Sequence, residues 1–171
     1  MSNAQDAINQ FFISGNTFYP CPANVSAQAG DADFGISGDC TLSNIKLCTN
    51  PLWDNTEGIC KTEDTPNAII IGSIPFSTLR MSEDLALDYW GNRIMYAVTL
   101  SQANQTTYNT TAGKIVLLAA DDPLDVANGI ADGNPDALSQ LYDIFLFSTG
   151  VNGAGGYSKD CLLYTSDAAD E

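Results

Sequence analysis

The sequence predicts an α+β domain, and three observations carry that prediction. The chain opens on a helix-period pattern, passes through a cysteine-bearing stretch with no sustained period, and closes on apolar runs of strand character. These parts are residues 1–14, 15–67 and 68–160. The expected architecture is a helix packed on an antiparallel sheet of roughly three to four strands, with the irregular segment pinned beside it.

Each element has a local reason. Ala4, Ala7, Ile8, Phe11 and Phe12 fall on one face of a helix over 4–14, which Gly15 and Asn16 stop. Prolines on either side of Cys21 hold that backbone extended. The run 68–76, AIIIGSIPF, is β-branched but broken by Gly72 and Pro75, so it reads as a short or edge strand. Residues 82–88 start with a Ser N-cap and two acids, which suits one or two helical turns. RIMYAVTL (93–100) alternates, GKIVLLAA (113–120) has the composition of a buried strand, and DIFLFST (143–149) is a further strand. Between the last two, NPDALSQLYD (134–143) carries Asn and Pro where a helix begins. GVNGAGGYS (150–158) reads as a glycine-rich loop.

Length and charge bound the function. At 171 residues the chain makes one domain with a sizeable core. Six Lys and Arg stand against 21 Asp and Glu, a net charge of −15 that argues against nucleic acid or an anionic membrane surface as partner. Histidine is absent, which removes Ser-His-Asp and Cys-His catalysis and the commonest zinc ligand. A serine nucleophile would need a lysine base, and only Lys46, Lys61, Lys114 and Lys159 are available. No enzyme activity is expected.

Cys21, Cys40, Cys48 and Cys60 lie in the loop-rich segment, and Cys161 stands apart. None of the spacings is Cys-x-x-Cys, so two disulfides and an oxidising compartment are expected, with the three possible pairings left open. The acidic stretches DDPLD (121–125) and DGNPD (132–136) offer oxygen ligands of the kind calcium takes, without the EF-hand pattern. Solvated turns are the simpler account. Asp132, Asp136 and Asn152 are the only candidates for a metal, and no cofactor is expected unless it is calcium. The glycine-rich loop lacks the Lys-[Ser/Thr] of a phosphate loop, and sequons at Asn24, Asn104 and Asn109 are no more than chance supplies. The final stretch, CLLYTSDAADE (161–171), resembles an in-frame translation of a sequencing-library adaptor, so the natural domain is expected to run to residue 160. The abrupt helical start is expected to be the remnant of a longer helix.

Three phrases, in order, resemble the pilin-like proteins of type IV pili and type II secretion systems. DAINQFFISGNTFYPCPAN resembles the end of that family's long helix running into a Pro-Cys-Pro segment. IIIGSIPFSTLRMSEDLALDYWGNRIMYAVT resembles its central stretch, where Asp-x-Trp-Gly-Asn precedes the first main strand. IFLFSTGVNGAGGYS resembles its late strand and glycine loop, with Thr149 where members often have His. The resemblance implies a non-catalytic filament subunit, periplasmic or surface-exposed, whose partners are other pilin-like subunits. It also implies an inner-membrane anchor through a helix missing from this fragment. Within the turn it implies that Asp88 accepts backbone N–H bonds, Trp90 lies against the sheet, and Gly91 and Asn92 make the entry into the strand. The alternative is a secreted calcium- or carbohydrate-binding module.

Overall fold

The computed structural model describes residues 2–41, 43–48, 58–108, 113, 115, 142–149, 156–158 and 161–164. Helix α1 (Ser2–Phe11) comes first and widens into a π-type turn over Phe12–Asn16. The α-helix therefore ends three residues earlier than the apolar spacing suggests. Two side chains account for this: Ser14 Oγ and Asn16 Nδ2 both donate to the Phe11 carbonyl, each at 2.8 Å, and satisfy a group the helix leaves open. Gly15, at φ +105°, then reverses the chain. Phe12 stacks on Tyr19 at 5.0 Å and Phe11 meets Phe18 edge-on at 6.0 Å, so the returning strand of chain packs on the last helical turn.

Five strands form the main sheet: β1 (Lys46–Leu47), β2 (Cys60–Lys61), β3 (Ile69–Ser73), β4 (Met95–Thr99) and β5 (Ile144–Phe147), in that spatial order. The expectation of an antiparallel sheet of three to four strands is corrected, because β1 and β2 run parallel and the sheet is mixed. Both extra strands come from the stretch read as irregular. A two-residue strand is too short to show a period. What holds the pair is tertiary: the Cys48–Cys60 disulfide, and Cys48 N–H donating to the Lys61 carbonyl at 2.9 Å. Lys61 is buried there and ion-pairs with Asp64 Oδ1 at 2.6 Å.

The alternation read in the sequence sorts side chains onto two apolar faces. Ile70, Tyr96, Val98, Ile144 and Leu146 share a core with Ala4 and Ile8 of α1, while the outward side of the helix is polar, with Asn3, Gln5, Asp6, Asn9 and Gln10 exposed. On the other face, Met95, Ala97, Phe145 and Phe147 pack with Ile69, Ile71, Val25, Ile115 and Tyr142. All five residues of β4 are buried. Large apolar side chains such as Met95 and Val98 each contribute roughly 1.5–3 kcal/mol relative to exposure, and β4, central in the sheet between β3 and β5, carries them on both faces.

The Pro-Cys-Pro segment lies across the end of β3. Ala23 and Ser73 exchange both backbone hydrogen bonds, at 2.8 and 2.9 Å, and Pro20 and Pro22 are fully buried. Gly72 is required beneath it, since a Cβ there would sit 2.7 Å from the Ala23 carbonyl and the Pro22 side chain. The second disulfide, Cys21–Cys40, closes this segment onto the loop that follows.

Elsewhere the elements are shorter than their sequence signals. Residues 82–88 give one 3₁₀ turn, Glu83–Ala86. Of 113–120 only Gly113 and Ile115 are described, Ile115 forming a bridge to Tyr142. The helix expected over 134–143 falls largely outside the described residues, and the part that is described, Tyr142 and Asp143, is not helical. Gly156–Ser158, read as loop, forms strand β6, which pairs with β7 (Cys161–Tyr164) in a separate hairpin.

Candidate functional site

The most elaborately braced surface feature is the hairpin tip between Leu87 and Arg93, which bridge one another just before β4. Asp88 organises it. Its Oδ1 accepts the backbone N–H of Trp90 at 3.0 Å and of Asn92 at 2.8 Å, an Asx-type arrangement that closes the turn on its first residue. The Asp88 N–H donates to the Asn92 carbonyl at 2.7 Å, and Gly91 supplies the positive φ of +81° that lets the chain come back. The other carboxylate oxygen, Oδ2, accepts the Ser148 hydroxyl at 2.5 Å, tying the tip to the end of β5.

Arg93 braces the base of the same hairpin from below. Its Nη1 donates to the carbonyls of Asn24 (3.1 Å) and Val25 (2.9 Å), and Nη2 to that of Ala27. The guanidinium also lies 5.0 Å over the Phe34 ring. Burial pushes its pKa down, and the charge of Glu83 works against that shift. Three carbonyls of one loop are thus collected by a single planar cation.

Trp90 is not sealed against the sheet, and that expectation is corrected. It remains 46% exposed and meets Tyr89 edge-to-face at 5.9 Å, while Tyr89 itself is 95% exposed. The hydrogen bonds from Asp88 fix the backbone of the turn and leave both rings facing solvent.

Four cysteines are joined as Cys21–Cys40 and Cys48–Cys60. The two disulfides point to an oxidising, extracytoplasmic environment. Among the described residues no helix is long and apolar enough to cross a membrane. Asp132, Asp136 and Asn152 lie outside the described residues, and among those that are described no three acidic or cysteine side chains gather as a metal site.

Two further places have the outward form of a site. An open cleft of about 280 Å³ is lined by Asn24, Ser26, Asp33, Ile36, Ser37 and Ile59, among others. Its polar groups are turned on each other: Asn24 Nδ2 donates to Asp33 Oδ2 at 2.8 Å, and Asn24 Oδ1 accepts from the Ser26 N–H and hydroxyl at 2.9 and 2.7 Å. At the end of α1, burial raises Asp143, and it raises Tyr19 and Tyr108, with the Asp143 charge adding to both. That is desolvation of an acid and two phenols by the surrounding fold. The spacing Ser43-x-x-Lys46 does occur in the chain, but both residues are exposed and the Ser43 hydroxyl donates to Asn44 Oδ1 at 3.3 Å, so the pair is not assembled for catalysis.

Comparison of the chain with family models, with characterised proteins and with solved structures returned no match. The Ser148 contact of Asp88 and the carbonyl clamp of Arg93 were not legible in the sequence. A lone Arg opening a strand was the one available signal, and nothing local names its partners.

Proposed function

We propose that this chain is the extracytoplasmic head of a pilin-like structural subunit, serving a type IV pilus or a type II secretion pseudopilus without catalysing a reaction. The observation that carries the reading is the junction at residues 11–23. There a helix that covers one face of the sheet turns directly into a buried Pro-Cys-Pro segment, which two backbone hydrogen bonds fasten to β3 and the Cys21–Cys40 disulfide fastens to the following loop. A helix attached so rigidly to its head suits a subunit that must transmit position from a packed spine to a surface shell. The ordered series of sequence phrases supports the same reading. In the full subunit, burial of an apolar helix among its copies would drive assembly, while the acidic head faces water.

The test is to locate the protein in cells that carry the intact gene. Antibody raised against the folded head should decorate sheared filaments, and deletion of the gene should abolish piliation or secretion. A product found only as a free soluble protein, with no filament lost on deletion, overturns the proposal. A calcium-dependent rise in melting temperature of the purified head would instead favour a secreted binding module.

A further inference from the structure

We infer that the Tyr89–Trp90 tip is a docking site for a partner protein through a segment bearing Lys or Arg side chains. The inference does not rest on the filament reading. Large aromatic residues are what binding hot spots are made of, and a rigid turn presents them without an ordering cost on association. Here the rigidity is visible: Asp88 holds the backbone on both sides of Trp90 and is itself tied to Ser148. Tyr89 is 95% exposed, and Trp90, although part of its surface is covered, is 46% exposed, so neither ring belongs to a core cluster.

Charge selects the occupant. The tip follows Glu83 and Asp84, both exposed, in a chain of net charge −15. The arginine at its base interacts with Glu83 and offsets part of that charge, but a single cation does not balance the acidity of the chain. Ring faces beside carboxylates attract cations, guanidinium above all. A second copy of this chain would bring a further net charge of −15, and like charges repel.

The experiment titrates a labelled peptide of alternating Gly and Arg into the folded, disulfide-intact protein at about 0.15 M salt, where distant charges are screened. Three variants accompany the wild type: Tyr89→Ala with Trp90→Ala, Glu83→Gln with Asp84→Asn, and a charge-matched control, Asp6→Asn with Glu63→Gln, placed elsewhere. All of these positions except Trp90 are largely exposed, so the fold is retained, and circular dichroism verifies that. The tip variant should weaken binding by about tenfold or more, the local acid variant by several-fold, and the control by less than either. Equal weakening in the tip variant and the control overturns the inference. It is equally overturned if the tip variant leaves peptide binding intact and abolishes self-association or binding of a maltooligosaccharide.

Discussion

The substitution Tyr96→Phe removes a single oxygen, and the structure sets the size of its effect. The Tyr96 hydroxyl donates to the Pro20 carbonyl at 3.0 Å, across 76 positions of sequence. Tyr96 has 0% of its surface exposed and Pro20 is fully buried, so water cannot replace the lost donor. A buried acceptor left without a partner costs about 1–3 kcal/mol. Urea unfolding at neutral pH should therefore show a lower midpoint with an unchanged slope, since the surface exposed on unfolding is the same. The pH dependence adds a second check. Burial, with a smaller contribution from Tyr19, holds the Tyr96 phenol well above its ordinary pKa of 10.0. A raised folded pKa means that the stability contributed is complete below pH 10.0 and is lost as pH rises further, because only the unfolded chain ionises this residue. Phenylalanine carries no such dependence. The gap between the two proteins should narrow between about pH 9 and 11, while Tyr19 and Tyr108 titrate in both and cancel in the difference. A variant within about 0.5 kcal/mol of wild type at neutral pH, or a gap that stays constant through that alkaline range, refutes the reasoning.

Two further outcomes test the bracing of the tip and the acid beside α1. Arg93→Met keeps the aliphatic stem but gives up every donor to the carbonyls of Asn24, Val25 and Ala27. Because water reaches part of this half-buried site, the loss in urea unfolding should be about 1–3 kcal/mol, with faster amide exchange in residues 24–27. Asp143→Asn should act in the opposite sense at neutral pH. Burial raises the Asp143 pKa above 3.8, so the carboxyl's share of stability is complete below that value and is lost as pH rises through the folded pKa. The Asn variant should melt higher than wild type at pH 7, with the advantage vanishing below the ordinary carboxylate range. A lower melting temperature at pH 7 refutes that assignment of burial as the cause.

The parts of the fold legible in the sequence were those set by neighbours a few residues away. Ala4 and Ile8 share a helix face because of helical periodicity, and both are buried against the sheet. Tyr96 and Val98 alternate with Met95 and Ala97 on the two faces of β4, as the pleat of a strand requires. At the candidate site, Gly91 marked the turn because only its conformation was needed, with no atom within 4 Å of where a Cβ would stand. Trp90, which the family resemblance sets against the sheet, stays 46% exposed, because the Asp88 hydrogen bonds direct the backbone of the turn and no sequence phrase specifies where its side chain goes.

The sequence by itself determined the α+β class, the opening helix, the buried central strand, the acidity, and the four cysteines that had to find partners. Tertiary structure alone decided that Cys21 meets Cys40 and Cys48 meets Cys60, and that Ser148 reaches Asp88 across 60 positions. It also decided that β1 lies parallel to β2. The physical reason is range. Backbone preference and hydrophobic period act over one or two turns of chain. Which distant groups meet is fixed only when the packed sheet brings them together, as it does the paired cysteines and the Asp88–Ser148 contact.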